Sequence, residues 1–352
     1  MASYAEPVGG VRGRSTDSSV LLLLMLRRKM EYIDNVMMAK ANTLSSHTAG
    51  APKKMVKYME ASYYFRLNML IASVPICIGG LIANAIVLYL YCCKINKPKL
   101  GPYFLNVTFA NLIIILCNLE VAAFFLGDMK TPTVVQRVME MLHIFAYDTT
   151  LYIFTALTAE RFLTVYFPVW WQHHRFKDFS ISMCAILWMV SGLESLMAYF
   201  SCYPRYETVN ANTAICTIAN IVEVIMEAIV FSPSLFFFTL AIWIRSQRPQ
   251  QKPLARLDIT IVVIAILILI LSVPTRLLHA ISYWVESMNW YLLTTTALLL
   301  DSCTCSSIPF VLLIVGSWKG QKGFEPFCMF LERALKDTED TSEPTAANQE
   351  QA

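Results

Sequence analysis

Acidic side chains recur inside long apolar stretches of this sequence. Asp148, Glu194, Glu223 and Glu227 each lie among aliphatic and aromatic residues. An ionisable group is costly inside an apolar membrane segment, so such residues are candidates for functional sites. Glu223 and Glu227 are four positions apart and share one face of a helix. Together these carboxylates would suit a cationic amine or peptide.

Internal pairing is the alternative use of these carboxylates. Arg276 and His279 lie in another apolar stretch and could neutralise two of them, and Asp301 is a further carboxylate of the same kind. Tyr147 and Trp284 offer aromatic faces to a cation, although an interfacial aromatic belt explains them equally well. The candidates for ligand binding are His143, Tyr147, Asp148, Glu194, Glu223, Glu227, Arg276 and Trp284.

A second group of charges, Glu160-Arg161, closes an apolar run of the length that crosses a bilayer, about 20 residues. At that position both charges can reach water or each other. Pro168 follows and stops or bends the helix. Any membrane helix can end in such a pair. The pair becomes a candidate functional site because it lies on the third of seven apolar segments.

The composition is that of a membrane protein. Of 352 residues, 56% are hydrophobic and 15% are charged, and the mean hydropathy is +0.52, whereas soluble domains carry about 25% charged residues. The net charge of +3 is too small to favour nucleic acid. The ten cysteines include no close CxxC pair, so neither a zinc site nor a dense disulfide framework is indicated. No metal or other cofactor is predicted.

Seven apolar segments must position these residues. The predicted fold class is therefore all-α: a seven-transmembrane helix bundle with an amphipathic surface helix after the seventh span. We expect Pro274 and Pro309 to break spans six and seven. The predicted spans, one to seven in order, are residues 67–93, 102–126, 134–163, 180–200, 216–244, 257–281 and 290–316.

Basic residues in the short loops predict the orientation. The loops after spans one, three and five are richer in lysine and arginine than the loops after spans two, four and six. The odd loops are therefore expected to be cytoplasmic and the amino terminus extracellular. Lys53, Lys54, Lys57 and Arg66, just before span one, favour the opposite orientation.

The predicted domains follow from the spans. Residues 1–66 form a polar, basic extracellular tail that we expect to be disordered, and residues 67–317 form the membrane domain. Residues 318–352 combine an amphipathic helix, which would lie on the lipid of the inner leaflet, with an acidic end. Cys328 in this helix is a candidate for palmitoylation.

Seven spans, the Glu160-Arg161 pair, Trp188 in span four and the prolines of spans six and seven resemble a rhodopsin-like G-protein-coupled receptor. Several strings are similar to the Mas-related receptors in particular, above all Leu-Thr-Ala-Glu-Arg-Phe-Leu-Thr-Val at 157–165. The other strings that resemble this family are residues 168–170, 184–188, 253–257, 315–318 and 331–338.

The resemblance implies a plasma-membrane receptor that binds an extracellular peptide or small molecule and activates a heterotrimeric G protein. By the same resemblance, Glu160, Arg161, Arg245, Arg248 and Arg256 would serve G-protein coupling. Mas-related receptors link spans four and five by a disulfide, which implies a Cys202–Cys216 bond here. Two free thiols are the alternative.

Three positions depart from the rhodopsin-like pattern. Asn111 replaces the carboxylate of span two, and Ile308 and Leu312 replace the amide and the phenol of span seven. Ala198 and Asn220 stand where family members that take cationic peptides have acidic residues. The positions implied in switching between states are Asn84, Asn111, Trp188, Pro274, Ile308, Pro309 and Leu312.

These departures leave a second reading open: a receptor-like protein with weak or no coupling, acting as an atypical receptor or heteromer partner. A transporter is disfavoured because no internal repeat is visible. A membrane enzyme is disfavoured because the sequence lacks HExxH, GxSxG and a histidine cluster. We therefore predict a receptor and not an enzyme.

Overall fold

The computed structural model of this protein describes residues 53–93, 99–127, 133–202, 214–247, 255–281, 290–317 and 327–335. The chain divides into two compact units, Met1–Ala61 and Ser62–Ala352, and the contacts described below belong to the second. Several predictions lie outside the described residues: Arg248, Trp284, the side chain of His279, and the segments 1–52, 318–326 and 336–352.

Seven long helical spans follow one another along the chain. Span five contains a π-helical segment, Ile225–Phe231, between Ala214–Val224 and Ser232–Ser246, and span six contains another, Ile268–Ser272, between Arg256–Leu267 and Val273–Ile281. The remaining spans are Lys53–Cys93 (one), Gly101–Gly127 (two), Thr133–Tyr166 (three), Phe179–Ser201 (four) and Trp290–Ser317 (seven). Two short helices complete the described fold: a loop helix, Pro168–His174, and a surface helix, Phe327–Leu335.

The predicted fold class is confirmed. Six of the spans are long and apolar enough to cross a membrane by length and composition: spans one, two, four, five, six and seven. Span three has 34 residues, which correspond to about 51 Å of helix, lies among the other spans and carries the buried charged residues Asp148, Glu160 and Arg161. Large apolar side chains such as Ile82 and Phe200 remain exposed on the outside of the bundle, as a lipid-facing surface requires.

The helix of span one extends further than the sequence predicted. It begins at Lys53 instead of residue 67, so residues 53–66 are helical, in place of the disordered tail expected there. The apolar run marks only the part of a helix that lipid can surround, and a helix can continue beyond that run. The other six spans begin and end within a few residues of their predicted limits.

The prolines do not interrupt their spans. Pro309 lies inside the continuous helix Trp290–Ser317, and Pro274 follows directly on the π-helical segment Ile268–Ser272. The predicted breaks were therefore wrong. A proline removes one backbone donor and crowds the preceding turn, and in span six a widened turn accommodates that change without ending the helix. Span five has the same arrangement, with Pro233 just after Ile225–Phe231.

Span three is the centre of the bundle. It packs against spans two, four, five and six, while span seven packs against spans two and six and against the surface helix. The largest fully buried side chains include Tyr152, Phe154 and Leu157 of span three. Any group on the inner face of span three can therefore reach several helices at once.

Two glycines allow close contacts between helices. A Cβ atom on Gly80 of span one would overlap the side chain of Ser306 in span seven, and one on Gly316 would overlap the backbone of Phe330 in the surface helix. The adjacent Gly79 has open space at the same position. Small residues are how membrane helices approach closely, so Gly80 and Gly316 mark fixed contacts of span seven.

We predict that Gly80→Ala lowers the thermal stability of the purified protein, because the added methyl group must displace Ser306 and overpacking costs about 1–3 kcal/mol. Gly79→Ala is the matched control and should be neutral or slightly stabilising, since alanine favours a helix over glycine by about 1 kcal/mol. Thermal unfolding in lipid nanodiscs measures both variants. Equal effects would contradict the close contact between spans one and seven.

Candidate functional site

Glu160 joins four parts of the molecule at one end of the bundle, which we name the Arg161 end. Its carboxylate accepts hydrogen bonds from Tyr103 Oη of span two at 2.7 Å and from Ser180 Oγ of span four at 3.2 Å. Arg175, just after the loop helix, forms an ion pair with it at 2.7 Å. Glu160 is buried, and these donors compensate for the lost contact with water.

Arg161 forms an ion pair with Asp258 in the first turn of span six. Arg161 Nε donates to Asp258 Oδ1, and Nη2 donates to Oδ2 at 3.2 Å, so the guanidinium binds the carboxylate with two parallel hydrogen bonds. Both side chains are buried. The pair connects the Arg161 end of span three directly to span six.

Asp258 was not singled out from the sequence. The available signal was that it is the single acidic residue between Arg256 and Ile281, close to the start of span six. A carboxylate at that place must either reach the interface or find a cation. The sequence alone did not indicate which of the basic residues at this end would be its partner.

The other arginines predicted at the Arg161 end have different roles in the structure. Arg245 of span five donates to the backbone oxygen of Val165 and lies over the ring of Tyr166 at 5.5 Å. Tyr166 Oη donates to the backbone oxygen of Ala241 at 2.8 Å. These contacts join the ends of spans three and five. Arg256 begins span six, and its side chain is partly exposed.

A second buried network lies further along span three, around Arg276 of span six. Arg276 Nη2 donates to Asp301 Oδ2 of span seven at 2.6 Å and to His143 Nδ1 of span three at 2.8 Å. Its guanidinium also lies 4.3 Å from the centre of the Tyr147 ring. Arg276 is thus the cation that neutralises Asp301, which is the internal pairing considered as the alternative from the sequence.

The remaining carboxylates gather beside this network. Asp148 interacts electrostatically with Glu194 of span four, with Glu223 and Glu227 of span five, and with Arg276. Tyr152 Oη donates to Glu194 at 2.5 Å. All of these acidic side chains are buried. Among the described residues, no group of three or more acidic, histidine or cysteine side chains is placed to hold a metal ion.

The structure therefore brings most of the predicted ligand-binding candidates into one interior region, which we name the acidic interior. Asp301 also belongs to it, although the candidate set from the sequence did not include it. Trp284 lies outside the described residues. The members of the acidic interior are His143, Tyr147, Asp148, Glu194, Glu223, Glu227, Arg276 and Asp301.

A disulfide bond joins Cys202 and Cys216 at the end of the bundle opposite Arg161, which we name the disulfide end. Both cysteines are buried. The bond closes a short loop between spans four and five, and a loop of about 15 residues is stabilised by about 3 kcal/mol in the chain-entropy model. Asn220 donates to the backbone oxygen of Cys216 at 2.9 Å, so this amide serves the disulfide turn.

Some of the residues implied in switching between receptor states form hydrogen bonds in the structure, and others form none among the described residues. Asn84 of span one donates to the backbone oxygen of Cys305 in span seven at 3.1 Å, and Trp188 Nε1 donates to Asn106 at 2.9 Å. Asn111 is fully buried, and neither its amide nitrogen nor its amide oxygen has a hydrogen-bond partner within the described residues. Ile308 and Leu312 are buried and apolar, Pro309 is buried and Pro274 is exposed.

The surface helix packs against spans six and seven. Leu331 and Leu335 are buried there, and together with residues of spans one, two and seven they line an apolar crevice. Cys328 on the same helix is a free, partly exposed cysteine.

Comparison with known proteins found relatives across most of the chain. Proto-oncogene Mas of Homo sapiens is 28% identical over 266 residues, which cover 73% of this chain and 80% of that protein. Mas-related G-protein coupled receptor member A8 of Mus musculus is 28% identical over 75% of this chain and 88% of its own length. Member X1 of Homo sapiens is 24% identical over 80% of this chain and 87% of its own length. No family model matches the sequence. The resemblance predicted from the sequence is confirmed by these relatives, of which members A8 and X1 are named as G-protein coupled receptors.

We predict that Arg276→Met destabilises the purified protein by about 3–5 kcal/mol, because Asp301 would keep a buried charge without a cation. The double variant Arg276→Met/Asp301→Leu should regain much of that loss, since both charges are then absent. Thermal unfolding of wild type, both single variants and the double variant completes the cycle. Lys177→Met, on an exposed loop residue, is the control. Strictly additive losses would contradict a coupled pair.

Proposed function

Since the chain is a G-protein-coupled receptor related to Mas and the Mas-related receptors, we propose that it binds a cationic peptide or amine from outside the cell and activates a heterotrimeric G protein. The homology supports a multi-pass protein of the plasma membrane with a ligand and a G protein as partners in general. The nature of the ligand and the coupling itself are the parts that we propose.

The ion pair between Arg161 and Asp258 is the observation that carries the coupling proposal. It closes the Arg161 end of the bundle, because a buried guanidinium bound by two hydrogen bonds is not free to meet a partner. An outward movement of span six would separate the pair and expose Arg161. Ligand and G protein would then favour the same open state from opposite ends, which is a coupling free energy between two sites.

We propose that the Arg161 end is cytoplasmic and that the disulfide end, together with the amino terminus, is extracellular. Two observations support this orientation. The loops on the Arg161 side are the basic ones. The opposite end carries a disulfide bond, and disulfides persist in oxidising surroundings outside the cytosol. In this orientation Glu160, Arg161, Arg245 and Arg256 lie at the face that a G protein would contact.

The acidic interior supports a cationic ligand. Its acidic members, Asp148, Glu194, Glu223, Glu227 and Asp301, outnumber its one arginine, and Arg276 is already bound to Asp301. A positive group that entered from the disulfide end would therefore be attracted inward. Arg276 already occupies the face of the Tyr147 ring. A cationic ligand would therefore be attracted mainly by the carboxylates.

The surface helix fits a role at the membrane. Its Leu331 and Leu335 are buried against the bundle while Met329 is exposed, which suits a helix that lies along the inner leaflet. We propose that lipid contacts this exposed side and that Cys328, partly exposed on the same helix, is acylated.

A second candidate function remains tied to specific residues. Asn111 without hydrogen-bond partners among the described residues, and the apolar Ile308 and Leu312, weaken the polar connection through span seven that such receptors use. This favours a receptor-like protein that couples weakly or acts as a heteromer partner. The two functions are separated by the following measurements.

We predict that Asp258→Asn raises basal G-protein activation, because the neutral amide releases Arg161, and that Arg161→Ala lowers it. Each 1.4 kcal/mol removed from the closed state changes the equilibrium about tenfold. Calcium and cAMP responses in cells, at matched surface expression, measure both effects. Glu332→Gln, on an exposed residue of the surface helix, is the control. Identical signals from wild type and both variants would contradict coupling through Arg161.

We further predict that Asn111→Asp, Ile308→Asn and Leu312→Tyr, combined in one variant, raise the signal above that of wild type, because they restore polar groups in spans two and seven. The same calcium and cAMP measurements detect the change. The triple variant at normal surface level but as silent as wild type would support the heteromer partner over the coupled receptor.

A further inference from the structure

Among the described residues, no hydrogen-bond donor reaches the buried side chain of Asp148. It lies on span three, its side chain is 1% exposed, and neither carboxyl oxygen has a hydrogen-bond partner within the described part of the chain. A buried polar group without partners is costly, and an ionised carboxylate is costlier still. The environment of Asp148 must therefore offer something that this carboxyl group can bind.

Another carboxyl is the charged group that acts most strongly on Asp148. It belongs to Glu227, which lies on the π-helical segment of span five, and the two side chains are in contact. Glu227 is buried as well, and its Oε2 has no donor in the described residues. Carboxylates have acceptors only, so this contact becomes a hydrogen bond when one of the two groups carries a proton. The contact between the two carboxyl groups is therefore favourable only when one of them is protonated.

The charges around Asp148 and Glu227 further favour a proton on one of the two carboxyl groups. Glu194 of span four and Glu223 of span five add negative charge beside the pair. Arg276 of span six interacts with both Asp148 and Glu227, but it is bound to Asp301 of span seven and to His143 of span three. Tyr152 donates its hydroxyl to Glu194.

Two ionised carboxylates in contact repel each other, and shared protons are the common solution in proteins. A metal ion is a poorer explanation, since the carboxyl groups of the described residues are not arranged to hold one. A proton also needs no cavity.

We propose that Asp148 and Glu227 form a proton-sharing pair, and that this proton-binding site makes the balance between the states of the receptor depend on pH. The pair joins spans three and five, so any movement of span five against span three changes the contact and with it the affinity for the proton. Protons then bias the states as any ligand with different affinity for each state does. A cationic ligand at the same carboxyls would take the place of the proton.

Infrared spectroscopy tests the pair directly on the full-length protein in lipid nanodiscs. A protonated carboxyl group has a carbonyl band that a carboxylate lacks. We expect wild type to show such a band at neutral pH and to lose it as the pH rises. Asp148→Asn and Glu227→Gln should each lose the same band, because either amide donates to the remaining carboxylate and removes the need for the proton.

Glu194→Gln is the matched control, since Glu194 has its own donor in Tyr152 and lies outside the contact. It should keep the band that titrates in wild type. An unchanged band in both Asp148→Asn and Glu227→Gln would overturn the proposal, as would a wild-type spectrum without a titrating band.

Thermal unfolding of wild type gives a second measurement that needs no variant. If the folded protein holds one proton more than the unfolded chain, stability falls as pH rises, and the unfolding equilibrium constant grows about tenfold per pH unit for that proton. The double variant Asp148→Asn/Glu227→Gln should lose this contribution, and an equal slope in both proteins would overturn the pair.

Neither measurement uses a ligand or a G protein. A receptor that signals without the titrating band contradicts the proton pair alone. A receptor with the band but no signal contradicts the proposed coupling alone.

Discussion

A polar side chain inside this bundle has no bulk water to bind, so it must find its partner on its own helix or on another one. Span three shows what that constraint produces, because it packs against four other spans. Glu160 is satisfied by Tyr103, Ser180 and Arg175, and Arg161 is satisfied by Asp258. These contacts hold the Arg161 end together with balanced charges.

The acidic interior is balanced differently. Arg276 forms an ion pair with Asp301, while no ion pair joins Asp148 or Glu227 to a cation within the described residues. Both networks include residues of span three. A change of charge in either network therefore affects the packing of that helix. The Arg161 end therefore depends on an ion pair within the chain, whereas in our proposals the acidic interior takes up a proton or a cationic ligand.

The spans were predictable because a bilayer demands a long apolar run, and six of the seven limits were found to within a few residues. Span one shows the limit of that argument, since its helix continues to Lys53 beyond the apolar run. The partners were not predictable. Asp258 is 97 residues from Arg161 along the chain. Arg175 reaches Glu160 only because the loop after span three folds back toward the bundle. Such pairings depend on the relative rotation of helices, which periodicity in a mostly apolar sequence does not specify.

The polar residues also show where sequence and structure agree for different reasons. Asn111 was noted as a replacement for a carboxylate, and in the structure it has no hydrogen-bond partner among the described residues. Asn220 was noted as a loss of acidic character near the disulfide end, and in the structure it donates to Cys216. The first amide has no partner among the described residues, whereas the second bonds to the disulfide turn.

The π-helical segment of span five has a consequence for comparing sequences. A π-turn contains one residue more than an α-turn, so the part of the helix before Ile225 is rotated by about 100° relative to an uninterrupted α-helix. A relative with a regular α-helix there must be aligned with a gap of one position inside Ile225–Phe231. Without that gap, every residue of Ala214–Val224 is equated with the neighbour of its true counterpart. Which residue of this chain corresponds to a relative's acidic position near Asn220 therefore depends on local helix geometry as much as on sequence identity.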